Sequence, residues 1–110
     1  GATPTTTGYT ASQMYWIQGA GGYGGANSTS GFPTQMGLAG YVMYGTMVFS
    51  LLSSNTWVGG GTLINQVTSS YMTTNNGIIA LGGVLGMVRI TTANGTDTFD
   101  AGSINILYEG

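Results

Sequence analysis

The feature that most constrains this chain is its near lack of ionic side chains. Only four of its 110 residues are charged, Arg89, Asp97, Asp100 and Glu109, so nothing before Arg89 carries a charge. The charged share is 4%, against about 25% in ordinary soluble domains. Soluble monomers use surface charge to stay apart from their neighbours. The sequence therefore predicts that much of this surface is covered by further copies or by other subunits.

The charge count also limits the classes of partner. Neutralising nucleic-acid phosphates takes several Lys or Arg side chains, and this chain has one basic residue and a net charge of −2. The same count argues against anionic membrane surfaces. The apolar stretch Met36–Leu52 is interrupted by glycines and is shorter than the roughly 20 residues of a membrane-spanning helix. We therefore expect neither nucleic acid nor membrane as a partner.

Glycine indicates the fold class. The 21 glycines, with clusters of Asn, Ser and Thr, divide the chain into short apolar segments, which is typical of an all-β protein, an antiparallel β-sandwich or jelly roll. We expect one domain over residues 1–110, with a glycine-rich loop at about residues 19–33 and turns at 53–55, 59–61, 75–77 and 94–95. The predicted strands are Ser12–Gln18, Gly40–Ser50, Thr56–Val58, Thr62–Val67, Ser70–Thr73, Gly77–Leu81, Val84–Thr91 and Ala101–Glu109.

Two kinds of strand are expected. In the last one, Ile104, Ile106 and Tyr108 alternate with mostly polar residues, as in a half-buried antiparallel strand. The segments 41–49 and 82–88 do not alternate, and apolar side chains on both faces of a strand need a cover on both sides. In a sandwich the second sheet is one cover, and a neighbouring subunit is the expected other.

The residue types exclude most catalysis. The chain has no His, Cys or Lys, so the usual general bases and activated nucleophiles are missing. Residues 19–24 match G-x-G-x-x-G, but a poor helix former follows and the first carboxylate is Asp97, so a glycine loop is favoured over a dinucleotide site. Asp97 and Asp100 are typical of a turn whose carboxylates accept backbone N–H groups, with a Ca²⁺ site as the alternative. We expect no enzyme and no cofactor.

Four residues are candidates for binding or for an interface. Arg89 is the only cation and is expected to pair with a carboxylate, either within the chain or on another subunit. Tyr23 and Phe32 lie in the glycine-rich segment, where an exposed aromatic ring can stack on a sugar or anchor a partner. Trp57, in a predicted strand, is the fourth candidate for binding or for an interface.

The C-terminal residues Val88–Thr92 and Thr96–Glu109 resemble the end of small jelly-roll proteins on tailed bacteriophages. In those proteins an Arg-bearing strand, a turn and a terminal strand close the sandwich. The resemblance is to capsid decoration or cement subunits and to the trimeric tips of tail fibres. It implies a homotrimer on the virion surface, in contact with other virion proteins and without catalytic residues.

The leading expectation is a capsid decoration or cement subunit, because fibre tips are usually the ends of much longer chains. The first alternative is a receptor-binding fibre tip that contacts host glycan through Tyr, Trp and Asn side chains. The second is a subunit of an extracellular filament.

Overall fold

The chain forms a single antiparallel sheet in a computed structural model that describes residues 3–17, 22–34, 42–66, 71–92 and 102–108. The strands are β1 (Thr10–Ile17), β2 (Tyr23–Ser28), β3 (Val42–Ser53), β4 (Thr56–Gln66) and β5 (Tyr71–Ala80). Their order is β2-β1-β5-β4-β3, and each neighbouring pair is antiparallel. Within these ranges there is no helix, and hence none long and apolar enough to cross a membrane. The all-β, antiparallel prediction is confirmed.

The hairpin between β3 and β4 is tight. Ser53 pairs with Thr56, which leaves Ser54 and Asn55 as the turn, and Ser54 adopts a positive φ of 47°. Ser and Asn are common turn residues because their side chains can bond to nearby backbone groups. The turn predicted at 53–55 is confirmed.

Two other predicted turns, at 59–61 and 75–77, are wrong because β4 and β5 run straight through them. The two segments pair with each other, with Gly61 opposite Asn75. The backbone N–H of Gly61 also donates to the Asn75 side-chain oxygen at 3.0 Å. Turn-forming residues stay extended here because each segment has a partner strand that uses its backbone hydrogen-bonding groups.

The loop expected at 19–33 also needs correction, because β2 occupies Tyr23–Ser28 within it. This strand is built largely from small residues, which is a weak strand signal. Pairing with β1 places Gly24 opposite Tyr15, and a Cβ at Gly24 would lie 2.7 Å from the Tyr15 hydroxyl oxygen. The glycine therefore makes room for the tyrosine ring, and β2 takes its conformation from its neighbour.

The strands expected at 84–91 and 101–109 are wrong where the structure describes them. Residues 85–92 and 102–108 lie outside any strand, and their apolar side chains point largely into solvent; Val84 is 90% exposed and Leu107 87%. Alternation shows which side chains could share a face, but a strand also needs a partner for its backbone groups. In the described chain that partner is missing.

The two faces of the sheet differ in burial. Side chains alternate between the faces along a strand, and the buried positions all fall on one face, which we call the covered face. These positions are Ala11, Gln13, Asn65, Thr73, Asn75 and Ile79. Only two of the six are apolar, so the described core is small and largely polar.

The segment 29–34 lies over the covered face. The Phe32 ring packs 4.8 Å from the Phe49 ring and 5.4 Å from the Tyr9 ring. Two residues later, the Thr34 hydroxyl donates to the Met43 sulfur at 3.4 Å and lies 3.1 Å from the Thr73 hydroxyl. Either hydroxyl can be the donor in the second bond. These contacts attach the β2–β3 connection to the sheet.

Candidate functional site

The opposite face of the sheet, which we call the open face, carries a row of large apolar side chains. Strand register places one such residue from every strand in line: β2, β1, β5, β4 and β3 contribute Tyr23, Trp16, Met72, Ile64 and Tyr44 respectively. We call this set the apolar row. Its members are 73%, 46%, 44%, 49% and 57% exposed in the same order. Large apolar side chains thus cross the entire sheet with about half of their surface in water.

The size of this row can be compared with the apolar patches of ordinary monomers. An aromatic side chain presents about 150–250 Å², and with about 200 Å² taken for each of the five residues, half exposure leaves about 500 Å² in water. The largest apolar patch on a typical monomer is about 300–600 Å², and patches of this size often serve in recognition. The row is therefore the leading candidate for an interaction surface.

The surface beside the row is uncharged and consists of small or weakly polar side chains. The next line across the open face consists of Gly25, Met14, Thr74, Thr62 and Thr46, by the same register. No ionisable carboxylate, amine or guanidinium occurs in the sequence before Arg89. The open face consequently has no charged group of either sign to oppose contact with another uncharged surface.

Exposed apolar side chains also occur outside the sheet. In the segments 82–92 and 102–108, Val84 is 90%, Ile106 70% and Leu107 87% exposed. These side chains add uncharged apolar surface to that of the open face.

The four candidates from the sequence lie in different places. Tyr23 is in the apolar row, the most exposed of its members. Trp57 is half-buried in β4, paired with Ile79, on the covered face. Phe32 is held between two aromatic rings rather than presented to a partner. Arg89 is exposed in the segment 85–92, and its expected carboxylate partners, at 97, 100 and 109, lie outside the described residues.

A shallow depression adjoins the row across β2, β1 and β5. Its volume is about 600 Å³ and its lining is mainly amide, hydroxyl and small side chains: Ser12, Gln13, Met14, Gly25, Ala26, Asn27, Thr74, Asn75 and Asn76. Such groups donate and accept hydrogen bonds without charge. The depression can therefore hold a neutral polar ligand or an ordered water network.

The described residues offer no arrangement for metal binding. They contain no group of three His, Cys, Asp or Glu side chains close enough to hold an ion. The turn with Asp97 and Asp100, where a Ca²⁺ site was the alternative, falls outside them.

Comparison with known proteins yields no relative: no protein-family model, no curated protein and no solved structure matches this chain.

Sequence reasoning missed the apolar row because its members come from five separate strands. Each residue is unremarkable in its own segment, and Tyr23 was assigned to a loop. The row exists only through register, and register depends on which strands are neighbours. For one member of the set the sequence did contain a signal. Side chains alternate along a strand, so Trp16 must lie on the face of β1 opposite to Ala11 and Gln13.

Proposed function

We propose that this chain is a non-enzymatic structural subunit of a bacteriophage virion, a capsid decoration or cement protein that works on the particle surface as an assembly of copies of itself. The observation that carries the proposal is the apolar row on an uncharged open face. Such a protein functions by binding its neighbouring subunits. Apolar area removed from water stabilises an assembly by about 25 cal/mol per Å², and no reacting group is needed.

Three features support a role in an assembly. The described core contains two buried apolar residues, Ala11 and Ile79, which is little for a domain that must be stable alone. The open face lacks the charges that keep monomers apart. The segments 82–92 and 102–108 carry exposed apolar side chains such as Val84 and Leu107, which are available for contact with other virion proteins. All three features favour association of the chain with other subunits.

The assignment to a phage rests on the resemblance of residues 88–92 and 96–109 to virion jelly rolls. In the proposed arrangement the sandwich has the described sheet as one layer. Its second layer comes from packing on the open face.

Immunogold electron microscopy with antibodies against the chain tests this function on particles from the source culture. We expect regular labelling of icosahedral shells. Particles that carry no label, in a preparation that contains the protein, would contradict the proposal. Label along extended filaments would instead support the filament alternative.

A second function is favoured by the depression on the open face. Asn27 and Asn76 in its lining provide neutral amide groups, and the exposed Tyr23 ring lies further along β2 on the same face. Amide groups and an aromatic ring suit an uncharged sugar. A glycan array with the wild-type chain and the Tyr23→Ala variant tests for a receptor-binding tip. Selective signals that the variant loses would favour this function, and a blank array would exclude it for the sugars tested.

A further inference from the structure

The apolar row needs an occupant, and the structure points to a second copy of this chain. We propose that the open face packs on the open face of another copy, row against row. The inference rests on the proposed function, which requires an assembly, and it names the partner of that assembly. It also supplies the second layer of the sandwich.

The area of the face suits such a contact. With strands about 4.8 Å apart and about 3.4 Å per residue, five strands over the eight residues of β1 cover roughly 24 Å by 27 Å, or about 650 Å². Standard protein interfaces bury about 800 Å² on each partner. Since a face with side chains has more accessible area than its flat outline, one open face is sufficient for a stable contact.

The charge distribution favours a copy over a partner of opposite charge. A self-contact brings two surfaces of the same charge together, which is costly when that surface is charged. The open face has no charge to repel its copy. It also gives no charged group that would select a basic or an acidic partner.

The order of residues along the row is compatible with a two-fold contact. Consider a two-fold axis that runs parallel to β5, midway between the two sheets. It exchanges the two edges of the sheet, so the order of the row is reversed, but each residue keeps its position along the strand direction. Tyr23 then faces Tyr44 of the copy, Trp16 faces Ile64, and Met72 on the central strand faces itself. This is the reciprocal pattern of an isologous interface, and aligned sheets pack about 10 Å apart in this way.

Charge complementation at position 72 tests the contact. Met72→Lys and Met72→Glu each place a charge against its own copy, so each variant alone should raise the dissociation constant for self-association about 100-fold or more. An equimolar mixture should restore association, since Lys then faces Glu. Sedimentation of the single variants and of the mixture measures this, and circular dichroism confirms that each variant keeps its β structure.

A matched variant outside the row separates the other possible occupants. Ile106→Lys changes a residue that is 70% exposed in the segment 102–108, and it should leave self-association unchanged. If Ile106→Lys abolishes association while the Met72 variants retain it, the C-terminal segment is the contact and the proposal is overturned. Failure of the Lys and Glu mixture to associate overturns it as well.

Fluorescence gives an independent reading that does not depend on a disruptive substitution. Trp57→Phe leaves Trp16 as the only tryptophan, and its emission should shift to shorter wavelength as concentration rises and the row is buried. An emission maximum that stays at the position of a solvated indole at all concentrations contradicts the contact. If capsids are labelled but the Trp16 emission does not shift, the proposed function stands and the contact between open faces is rejected. If the chain self-associates but is absent from all particles, the contact stands and the proposed function is rejected.

Discussion

Substitution of Gly61 by alanine tests the packing of the sheet at its tightest point. Gly61 lies in β4 between two strands, paired with Met47 of β3 and Asn75 of β5. A Cβ at this position would collide with the carbonyl oxygen of Thr46 and lie 2.7 Å from the Cα of Met47. Both neighbours are backbone atoms, so neither can rotate aside, and β3 must move as a unit.

The sign of the effect is as informative as its size. At a site with room for a methyl group, a change from Gly to Ala stabilises a protein by about 0.4–1 kcal/mol through the unfolded chain. Overpacking that forces a backbone shift costs about 1–3 kcal/mol, occasionally more. For Gly61→Ala we expect a net loss of about 2 kcal/mol, and hence a Tm lower by about 8–16 °C for a domain of this size.

Thermal and urea unfolding followed by circular dichroism measure this loss, at one fixed protein concentration because association changes apparent stability. Gly82→Ala is the matched control, since a Cβ there meets nothing within 4 Å, and it should leave the free energy of unfolding within about 0.5 kcal/mol. Equal stability of the two variants would refute the strand register and the close approach of β3 to β4.

Three further perturbations follow from the contacts. Phe32→Ala removes the ring that joins the 29–34 segment to the covered face, and urea unfolding should show a loss of about 2 kcal/mol, against less than about 0.5 for the exposed Tyr108→Ala. Thr34→Val removes the hydrogen-bond partner of the fully buried Thr73 hydroxyl and should cost about 1–2 kcal/mol, whereas the exposed Thr6→Val should be neutral; equal effects would exclude the bridging role. Self-association of the wild-type chain should change less than about twofold as NaCl rises and strengthen in sulfate, because the contact is uncharged; strong weakening by NaCl would indicate an ionic interface instead.

The sequence was sufficient for the fold class because glycine spacing and short apolar segments leave few options other than β structure. It was misleading where a local signal competes with pairing. Asn75 and Gly77 form a good turn sequence in isolation, yet in the sheet they lie opposite Gly61 and Gly59, and the ladder hydrogen bonds outweigh the turn preference. Such an outcome depends on the neighbouring strand, which no single window contains.

The candidate site, like the fold, was predictable from the sequence only in part. The scarcity of charge correctly directs attention to exposed uncharged surface, but it does not say where that surface lies. Trp16 and Ile64 become parts of one row only after β1, β5 and β4 are placed side by side. Phe32 illustrates the converse, because a ring expected to be presented to a partner packs instead on Phe49 of its own chain.

The most direct test is the mass of the unmodified chain in solution. Equilibrium sedimentation should give a multiple of 11.2 kDa down to about micromolar concentration, since an uncharged interface of standard size supports that affinity. A monomer of 11.2 kDa that persists to millimolar concentration would mean that the open face stays exposed to solvent without a partner. The structural role proposed for the chain would then have no basis.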